Sequence, residues 1–450
     1  MRSPDLPRVL FVGALIFFGF LYGVATQAFG WFPSGVLARA WDQAKVVAPA
    51  RLIPGADSDG EGSWGEPRVY ERAGARTDEP DRVAPGLTLI ASAWETADGR
   101  QPGLRLIDRR GETLHEWPVS PSELFPTEAS SDGGLIHGTH LLPDGDVLVN
   151  VEYVGAARLD ACGEVVWTNT EYNFHHSIAR DPDGSFWIPG VRRSRPPKSE
   201  EYPDGYPGLQ GPVHHSLIVH LSPDGSAIDT INVMDVVFAS DLERHIAQSM
   251  LGWNESRPYV TDVLHLNDVE PLPDSMAAEY PLFEGGDLVV SLRDPNLIFV
   301  LDPDSRTVKW HASAAFIDQH DPDFVGGGRI GVFDNNRDGT RRGSMLGGSR
   351  IVFLEPHTDS VATRFPTSRS DPFYTPLRGK WQLLANGNLL LTEAQAGRVA
   401  EVSPDGETVW EWIHEPVGEG RVAPVTGARR YPFAKERVES WPCSPGEASP

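Results

Sequence analysis

The chain is poor in several things, and each shortage excludes something. Only two cysteines occur, Cys162 and Cys443. Neither belongs to a CxxC pair or to a mixed Cys/His spacing, which argues against a zinc site built on thiolates. Outside the cytoplasm the two could form a disulfide tying the C-terminal tail to the body of the chain, and two free thiols fit the sequence equally well. Positive charge is scarce: 39 Lys and Arg stand against 63 Asp and Glu, for a net charge of −24. A surface this acidic disfavours nucleic acid and anionic lipid as partners, and an anionic substrate would have to find local positive charge. Long apolar runs are missing after residue 32. The run before it, residues 9–32 (VLFVGALIFFGFLYGVATQAFGWF), follows Arg2 and Arg8. At about 1.5 Å per residue it can cross a hydrocarbon core of about 30 Å. The basic flank predicts an uncleaved single-pass anchor in the cytoplasmic (inner) membrane, with everything after it on the periplasmic or extracytoplasmic side. A cleaved signal peptide is the competing reading, and its only small-residue cleavage candidate, Thr26-Gln27-Ala28, is weak.

Glycine (45) and proline (39) are abundant, as expected where tight turns join many short strands. Six hairpin-like segments recur about every 50 residues: LIDRRGETLHEW (106–117), RLDACGEVVWTN (158–169), VHLSPDGSAIDTI (219–231), FVLDPDSRTVKW (299–310), FLEPHTDSVATRF (353–365) and EVSPDGETVWEW (401–412). Between most of them lies a second element, a Pro-Asp-Gly, Asn-Gly or Gly-rich turn followed by an apolar run, as in LLPDGDVLVN (141–150) and QLLANGNLLLT (382–392). A lone hairpin cannot bury its apolar face, so the copies must pack on one another, and radial packing closes them into a ring. One element of each kind makes a four-stranded blade. The predicted fold is all-β, a six-bladed β-propeller preceded by one N-terminal transmembrane helix. The expected divisions are a cytoplasmic tip and anchor (1–32), a Pro/Gly/charge-rich tether (33–85) with a short helix over 34–47, the propeller (86–421) and a C-terminal tail (422–450). LTLIAS (87–92) is expected to complete the last blade, and apolar spacing predicts a helix around 242–250. The closing tryptophans are expected to pack between sheets.

Of fourteen histidines, six fall just before or at the start of an inner-type strand: His137, His140, His175, His176, His265 and His320. Comparable positions in successive repeats point to the central axis, so side chains distant in sequence can meet at one mouth of the channel. His115, His220, His311, His357 and His414 lie in or beside outer hairpins and read as structural or solvent-facing.

The combination of HLNDVEPLP (265–273), SLRDPN (291–296), FIDQHDPDF (316–324), RIGVFDNN (329–336) and GSRIVFLEP (348–356), with FHHSI upstream (174–178), resembles the bacterial arylsulfate sulfotransferase family that uses no nucleotide donor. The resemblance covers roughly residues 87–412. It implies a six-bladed propeller that moves a sulfuryl group from an aryl sulfate ester to a phenolic acceptor, by a ping-pong route through a transiently sulfated histidine. By motif the nucleophile is His320, the sulfuryl-binding arginine is Arg293, and the H-x-N pair is His265 and Asn267. The remaining family histidine falls on His175–His176, with His176 preferred for catalysis and His175 for substrate binding. No cofactor and no metal is implied, and no third and fourth ligand joins His320 and Asp321 by spacing. The residue types suit the reaction by themselves: a neutral imidazole is a good nucleophile near neutral pH, a guanidinium offers a planar fork of donors to sulfate oxygens, and a second imidazole has the proton affinity to serve both phenols.

Bland readings stand beside these. Arg293 can pair with Asp294 or Asp302, Asp334 and Asn335 can cap a turn, and His137 and His140 can be hydrogen-bonded core. The chain also departs from the family pattern: an apparent insertion (DSMAAEYPLFEGG, 274–286) precedes Arg293, and Ser177 stands where an aspartate is usual. Two other function classes compete. One is a membrane-tethered propeller that binds a protein or glycan without catalysis. The other is a quinone-cofactor dehydrogenase, for which no calcium-binding carboxylate set is found.

Overall fold

The computed structural model describes Phe11, residues 14–15 and 17–22, and residues 65–443 apart from 97–98, 127–133, 195–197, 210–212, 250–261, 314 and 341. Six antiparallel sheets form the blades of a β-propeller. Written from the axis outward, blade 1 is Gly427–Tyr431, Leu87–Thr96, Gly99–Ile107 and Thr113–Pro118. Blade 2 is Ile136–Leu141, Val147–Val151, Gly155–Leu159 and Val165–Asn169. Blade 3 opens on a broken strand, Asn173–Phe174 and Ala179–Arg180, followed by Phe186–Ser194, Val213–Leu221 and Ala227–Asn232. Blade 4 is Leu266–Pro271, Leu288–Leu292, Leu297–Asp302 and Thr307–Ser313, and blade 5 is His320–Phe324, Ile330–Asp334, Arg350–Glu355 and Ser360–Phe365. Blade 6 is Trp381–Leu383, Leu389–Glu393, Arg398–Val402 and Thr408–Ile413.

The six repeated segments are the two outer strands of each blade. Each carries a register shift, beside the turn at Leu106/Ile107, Arg158/Leu159, His220/Leu221, Val300/Leu301 and Glu401/Val402 and at the far end of the hairpin at Ile351/Val352. The turn aspartates cap as expected: Asp108 Oδ1 accepts from the amides of Arg110 and Glu112, and Asp160 Oδ1 from those of Cys162 and Glu164. Copies four and five lack the glycine, and the left-handed residue there is Arg306 (φ 60°) or Asp359 (φ 53°). The closing tryptophans divide. Trp117 and Trp410 are fully buried, whereas Trp167 and Trp310 are only half-buried. Three of them donate through the indole N–H to the outer turn of the next blade: Trp167 to Pro223 O (3.0 Å), Trp310 to Asp359 (3.3 Å) and Trp410 to Arg109 O (2.8 Å).

Ring closure differs from the sequence expectation. The strand containing LTLIAS does not complete the last blade; it is the second strand of blade 1, and the innermost strand there comes from Gly427–Tyr431, inside the expected tail. The last blade instead gains an outer fifth strand, Gly74–Thr77, from the end of the expected tether. Both ends of the chain thus close the ring, one at the axis and one at the rim. Hairpin periodicity cannot report this, because each closing strand stands alone in sequence. Cys162 and Cys443 are disulfide-bonded across 281 positions, pinning the C-terminal segment to the outer turn of blade 2. The expected helix around 242–250 is present as a 3₁₀ turn, Glu243–His245, running into Ile246–Ser249. A further helix, Val233–Ala239, is capped by Asn232, whose side chain accepts from the Met234 amide. The expected helix over 34–47 lies outside the described residues, as does most of the expected span 9–32. Residues 17–22 are helical and exposed, and among the described residues no helix is long and apolar enough to cross a membrane.

Innermost strands of neighbouring blades do not pair with one another; side chains join them. The Leu141 amide donates to the Tyr431 hydroxyl between blades 2 and 1 (3.0 Å). Asn150 accepts from the Gly138 amide and donates to His176 O between blades 2 and 3 (2.9 and 3.0 Å). The Val269 amide meets Ser177 Oγ between blades 4 and 3 (3.4 Å). Asn267 Nδ2 donates to Gln319 O, and Gln319 Nε2 to Leu292 O, between blades 4 and 5 (2.6 and 2.9 Å). Trp381 donates its amide to Asp321 Oδ2 and its indole N–H to Asp321 O between blades 6 and 5 (2.8 and 2.7 Å). Gln382 and Arg430 exchange two bonds between blades 6 and 1.

Two stability outcomes are expected. Replacing Cys162 or Cys443 by Ser lowers unfolding free energy by about 2–4 kcal/mol, because a long loop is freed in the unfolded chain; denaturant titration under non-reducing conditions measures it. Deleting residues 422–450 removes the innermost strand of blade 1, and the product is expected to lose cooperative thermal unfolding.

Candidate active site

One end of the axis collects imidazoles from four blades. His137 lies on the innermost strand of blade 2, His175 and His176 in the break of blade 3, His265 just before that of blade 4, and His320 at the start of that of blade 5. The His176 ring is the hub: its centroid lies 4.2 Å from that of His137, 4.9 Å from His175, 5.2 Å from His265 and 5.9 Å from His320. Local backbone is bent to achieve this. The innermost strands of blades 2, 4 and 5 are each bulged at the site, at Ile136/Thr139, Leu266/Asp268 and His320/Asp323. A bulge re-aims successive side chains that a regular strand would send to opposite faces. His176, His265 and Asp321 take left-handed φ values of 57°, 48° and 52°, which non-glycine residues adopt at a cost of about 1–3 kcal/mol. Gly138 allows the close approach of blades 2 and 3: a Cβ there would stand 2.2 Å from His176 O.

Hydrogen bonding fixes which ring nitrogen of His320 is free. Asn335 Nδ2 donates to the carbonyls of Thr375 (2.8 Å) and Arg378 (2.6 Å), so its Oδ1 must be the atom facing His320 Nδ1 at 2.7 Å. An amide oxygen only accepts, so His320 Nδ1 carries the proton, helped by Asp318 O at 3.0 Å. The neutral ring then keeps its lone pair on Nε2. Asn335 is therefore more than the turn cap that its sequence position suggested. Asp262 acts likewise on His265, whose Nδ1–H donates to Oδ2 at 2.7 Å while its amide donates to Oδ1 at 2.9 Å. His175 and His176 share one proton between their Nδ1 atoms, 2.7 Å apart. Asn267 spends its amide N–H₂ on Gln319 O, so its remaining atom, a buried and unpaired Oδ1, is an acceptor. That acceptor suits a phenolic hydroxyl. Arg293 donates through Nε and Nη2 to Asp294 Oδ1 (2.8 and 2.7 Å), the bland pairing weighed above. Its charge still reaches His320 and Tyr153.

Burial sets the protonation states. His175, His176 and His320 are only 2–3% exposed. Burial holds His176 and His320 well below the usual histidine range, with the Arg293 charge adding to the effect at His320, and brings His175 down to about 3. Burial works to raise Asp262, but the neighbouring His265 outweighs it and the group stays a carboxylate. Beyond the histidines the channel narrows to a cavity of about 50 Å³ lined by Asp268, Glu270, Asp321, Asp323, Lys380 and Arg429, among others. Burial pushes Asp268 up to about 6 and Glu270 to about 7.

His175, His176, His265, Asn267 and His320 lie at this end of the axis, with Arg293 following the second strand of blade 4, whereas His140 packs near Phe186 and Tyr431 instead. Sequence reasoning missed His137, set aside as core, and also Glu152, Asp262 and Asn150. His137 shared the positional signal of the others; the acidic and amide residues carried none, since Glu152 and Asp262 meet histidines of their own blade, and Asn150 the adjacent blade, only once the chain is folded. His137, Glu152 and His176 also offer ligand atoms within 4.8 Å of one another, a donor set that could hold a divalent ion. The Arg378 charge, felt by both His137 and Glu152, opposes a second cation there.

The arylsulfotransferase (ASST) family profile matches residues 138–415, more than half of the chain. No curated protein matches it. Similar solved structures include a protein of unknown function from Bacteroides caccae (12% identity, 76% of this chain and 98% of that one, TM-score 0.46). TolB from Acinetobacter baumannii follows at 13% identity over 77% of this chain and 67% of that one, TM-score 0.42. Virginiamycin B lyase from Staphylococcus aureus is at 10% identity over 63% of this chain and 71% of that one, TM-score 0.32. Likenesses this distant carry no argument about function.

The buried imidazoles predict a pH dependence of stability. A ring neutral in the folded state but protonated below about pH 6.5 in the unfolded chain makes acidification unfavourable, so its contribution falls as pH drops from 6.5 toward its lowered value. For His175 this amounts to about 2 kcal/mol by pH 5. Asp268 and Glu270, raised, act in the opposite direction between about pH 4 and their own values. Denaturant titrations at pH 7 and pH 5 are therefore expected to show His175→Phe losing about 2 kcal/mol less than wild type; equal losses would count against the neutral-ring account.

Proposed function

We propose that this chain, which belongs to the arylsulfotransferase (ASST) family, moves a sulfuryl group from an aryl sulfate ester to a phenol through a sulfated His320. Membership supports sulfotransferase activity, with aryl sulfates and phenols as the substrate classes. The observation that carries the finer reading is the Asn335 amide, which keeps the His320 proton on Nδ1 and leaves Nε2 with a free lone pair.

In the first half-reaction His320 Nε2 attacks sulfur, the N–S bond forms and the S–O bond to the aryl group breaks. The phenolate leaves and is protonated. In the second, an incoming phenol gives up its proton, its oxygen attacks sulfur, and the N–S bond breaks to restore neutral His320. His265 is the better acid–base partner: its Nδ1–H is anchored on the Asp262 carboxylate, which stabilises the imidazolium formed when Nε2 takes a proton. His176 is buried beside four other imidazoles, which disfavours a positive charge on it, so its role is to pack and orient. Arg293 meets the charge on the non-bridging oxygens with the N–H groups not given to Asp294. Asn267 receives the acceptor hydroxyl, and His175 fixes the His176 tautomer. A disulfide between Cys162 and Cys443 suits an oxidising compartment. It accords with residues 9–32 anchoring the propeller on the outer face of the cytoplasmic membrane.

The test uses a chromogenic aryl sulfate with phenol as acceptor and no nucleotide donor. Intact-protein mass after donor alone is expected to show one added sulfuryl group, absent in His320→Ala. Arg293→Gln is expected to slow turnover by about 10²–10³-fold. Wild type that neither turns over nor gains mass across a broad donor panel would falsify the proposal. Because burial keeps His320 neutral, the rate of labelling by donor is expected to stay level from pH 7.5 to 5.5, where a histidine of ordinary affinity would lose about tenfold.

A further inference from the structure

Resting on the sulfuryl-transfer reading above, we infer that Arg378 is a second anion-binding residue of the site and holds the sulfate oxygens of the donor. Its position on the innermost side of blade 6, three residues before Trp381–Leu383, matches that of the histidines in blades 2 to 5. The same Asn335 that orients His320 also anchors it, since Asn335 Nδ2 donates to Arg378 O at 2.6 Å while Oδ1 accepts from His320 at 2.7 Å. One amide thus sets the spacing between the nucleophile and this arginine. Arg378 and Gly379 are both left-handed, with φ of 61° and 105°. Gly379 tolerates no Cβ, which would meet the Phe333 ring at 2.6 Å. A bulky residue held in a costly conformation, next to a glycine that cannot be replaced, marks a side chain directed by its surroundings.

Among the described residues no carboxylate lies within 4 Å of the Arg378 guanidinium, and it makes no hydrogen bond, although the residue is half-buried. Its charge acts on His137 and Glu152, and the His137 ring packs on His176. Arg293, by contrast, gives two of its N–H groups to Asp294.

Charge balance makes the same point. With His137, His175, His176 and His320 neutral, Glu152 and Asp262 present two carboxylates to any ligand at the hub, and Arg293 is matched by Asp294. A sulfate ester carries a negative charge of its own and would be repelled unless an uncommitted cation faced it. Arg378 is that cation; Arg429, which lines the cavity next to His137, faces the carboxylates of Glu270, Asp321 and Asp323 instead.

The experiment is steady-state kinetics on the full chain with 4-nitrophenyl sulfate and phenol, together with calorimetric binding of inorganic sulfate. Arg378→Gln is expected to raise the donor KM and the sulfate Kd together by roughly ten- to a hundredfold. The phenol KM is expected to move less than twofold, because the acceptor is uncharged. Arg378→Lys keeps the charge and is expected to recover part of the loss, which a collapsed loop would not. Donor KM and sulfate Kd both within twofold of wild type, in an active Arg378→Gln enzyme, would overturn the inference. If wild type binds sulfate and Arg378→Gln does not, yet neither transfers a sulfuryl group, the anion site stands and the sulfotransfer reading falls.

Discussion

Innermost strands that cannot pair with one another have to be held at the axis by something else. In this propeller that duty falls to a ring of side chains crossing every blade junction. Asn150, Ser177, Asn267, Gln319, Asp321, Gln382 and Tyr431 each meet backbone of the adjacent blade. The same ring places the chemistry. Asn150 holds the carbonyl of His176, and Asn267 and Gln319 hold the segment leading into His320. Closing the ring and assembling the site are therefore one structural problem, and strain in either is felt in the other.

Packing His137, His175 and His320 around His176 works only because burial keeps these rings largely uncharged. Each charged ring would repel its neighbours across about 4–6 Å in a poorly screened interior. The protein fixes proton positions through fixed acceptors instead: Asn335 for His320 and Asp262 for His265. The first acceptor is neutral and the second anionic. That difference separates a ring suited to attack from one suited to carry a proton.

The repeat was readable because four of the six hairpins share a turn chemistry that the backbone demands, a capping aspartate or serine and a left-handed glycine in fourth place, and the other two keep a left-handed residue one position later. The closing strands, Gly74–Thr77 and Gly427–Tyr431, were not, since each is a single strand in a segment that composition alone marks as tether or tail. His176, His265 and His320 stood out through motif and position. Asp262, Glu152 and Asn335 did not, because an aspartate, glutamate or asparagine beside a turn is ordinary until the fold shows which histidine it meets: His265, His137 and His320 in turn. Arg378 lay outside every motif, and its lack of a partner is a property of the folded chain only.

What sequence alone determined is local and periodic: where strands turn, how many blades there are, and which imidazoles share a register. Those follow from short-range backbone preference and from the need of each hairpin to bury one face. Tertiary structure decided which strands close the ring, which nitrogen of His320 stays open, and which arginine is left without a counterion. Each of these depends on contacts between residues tens to hundreds of positions apart, where bulged strands bring hydrogen-bond donors and acceptors within 3 Å and linear order carries no record of the meeting.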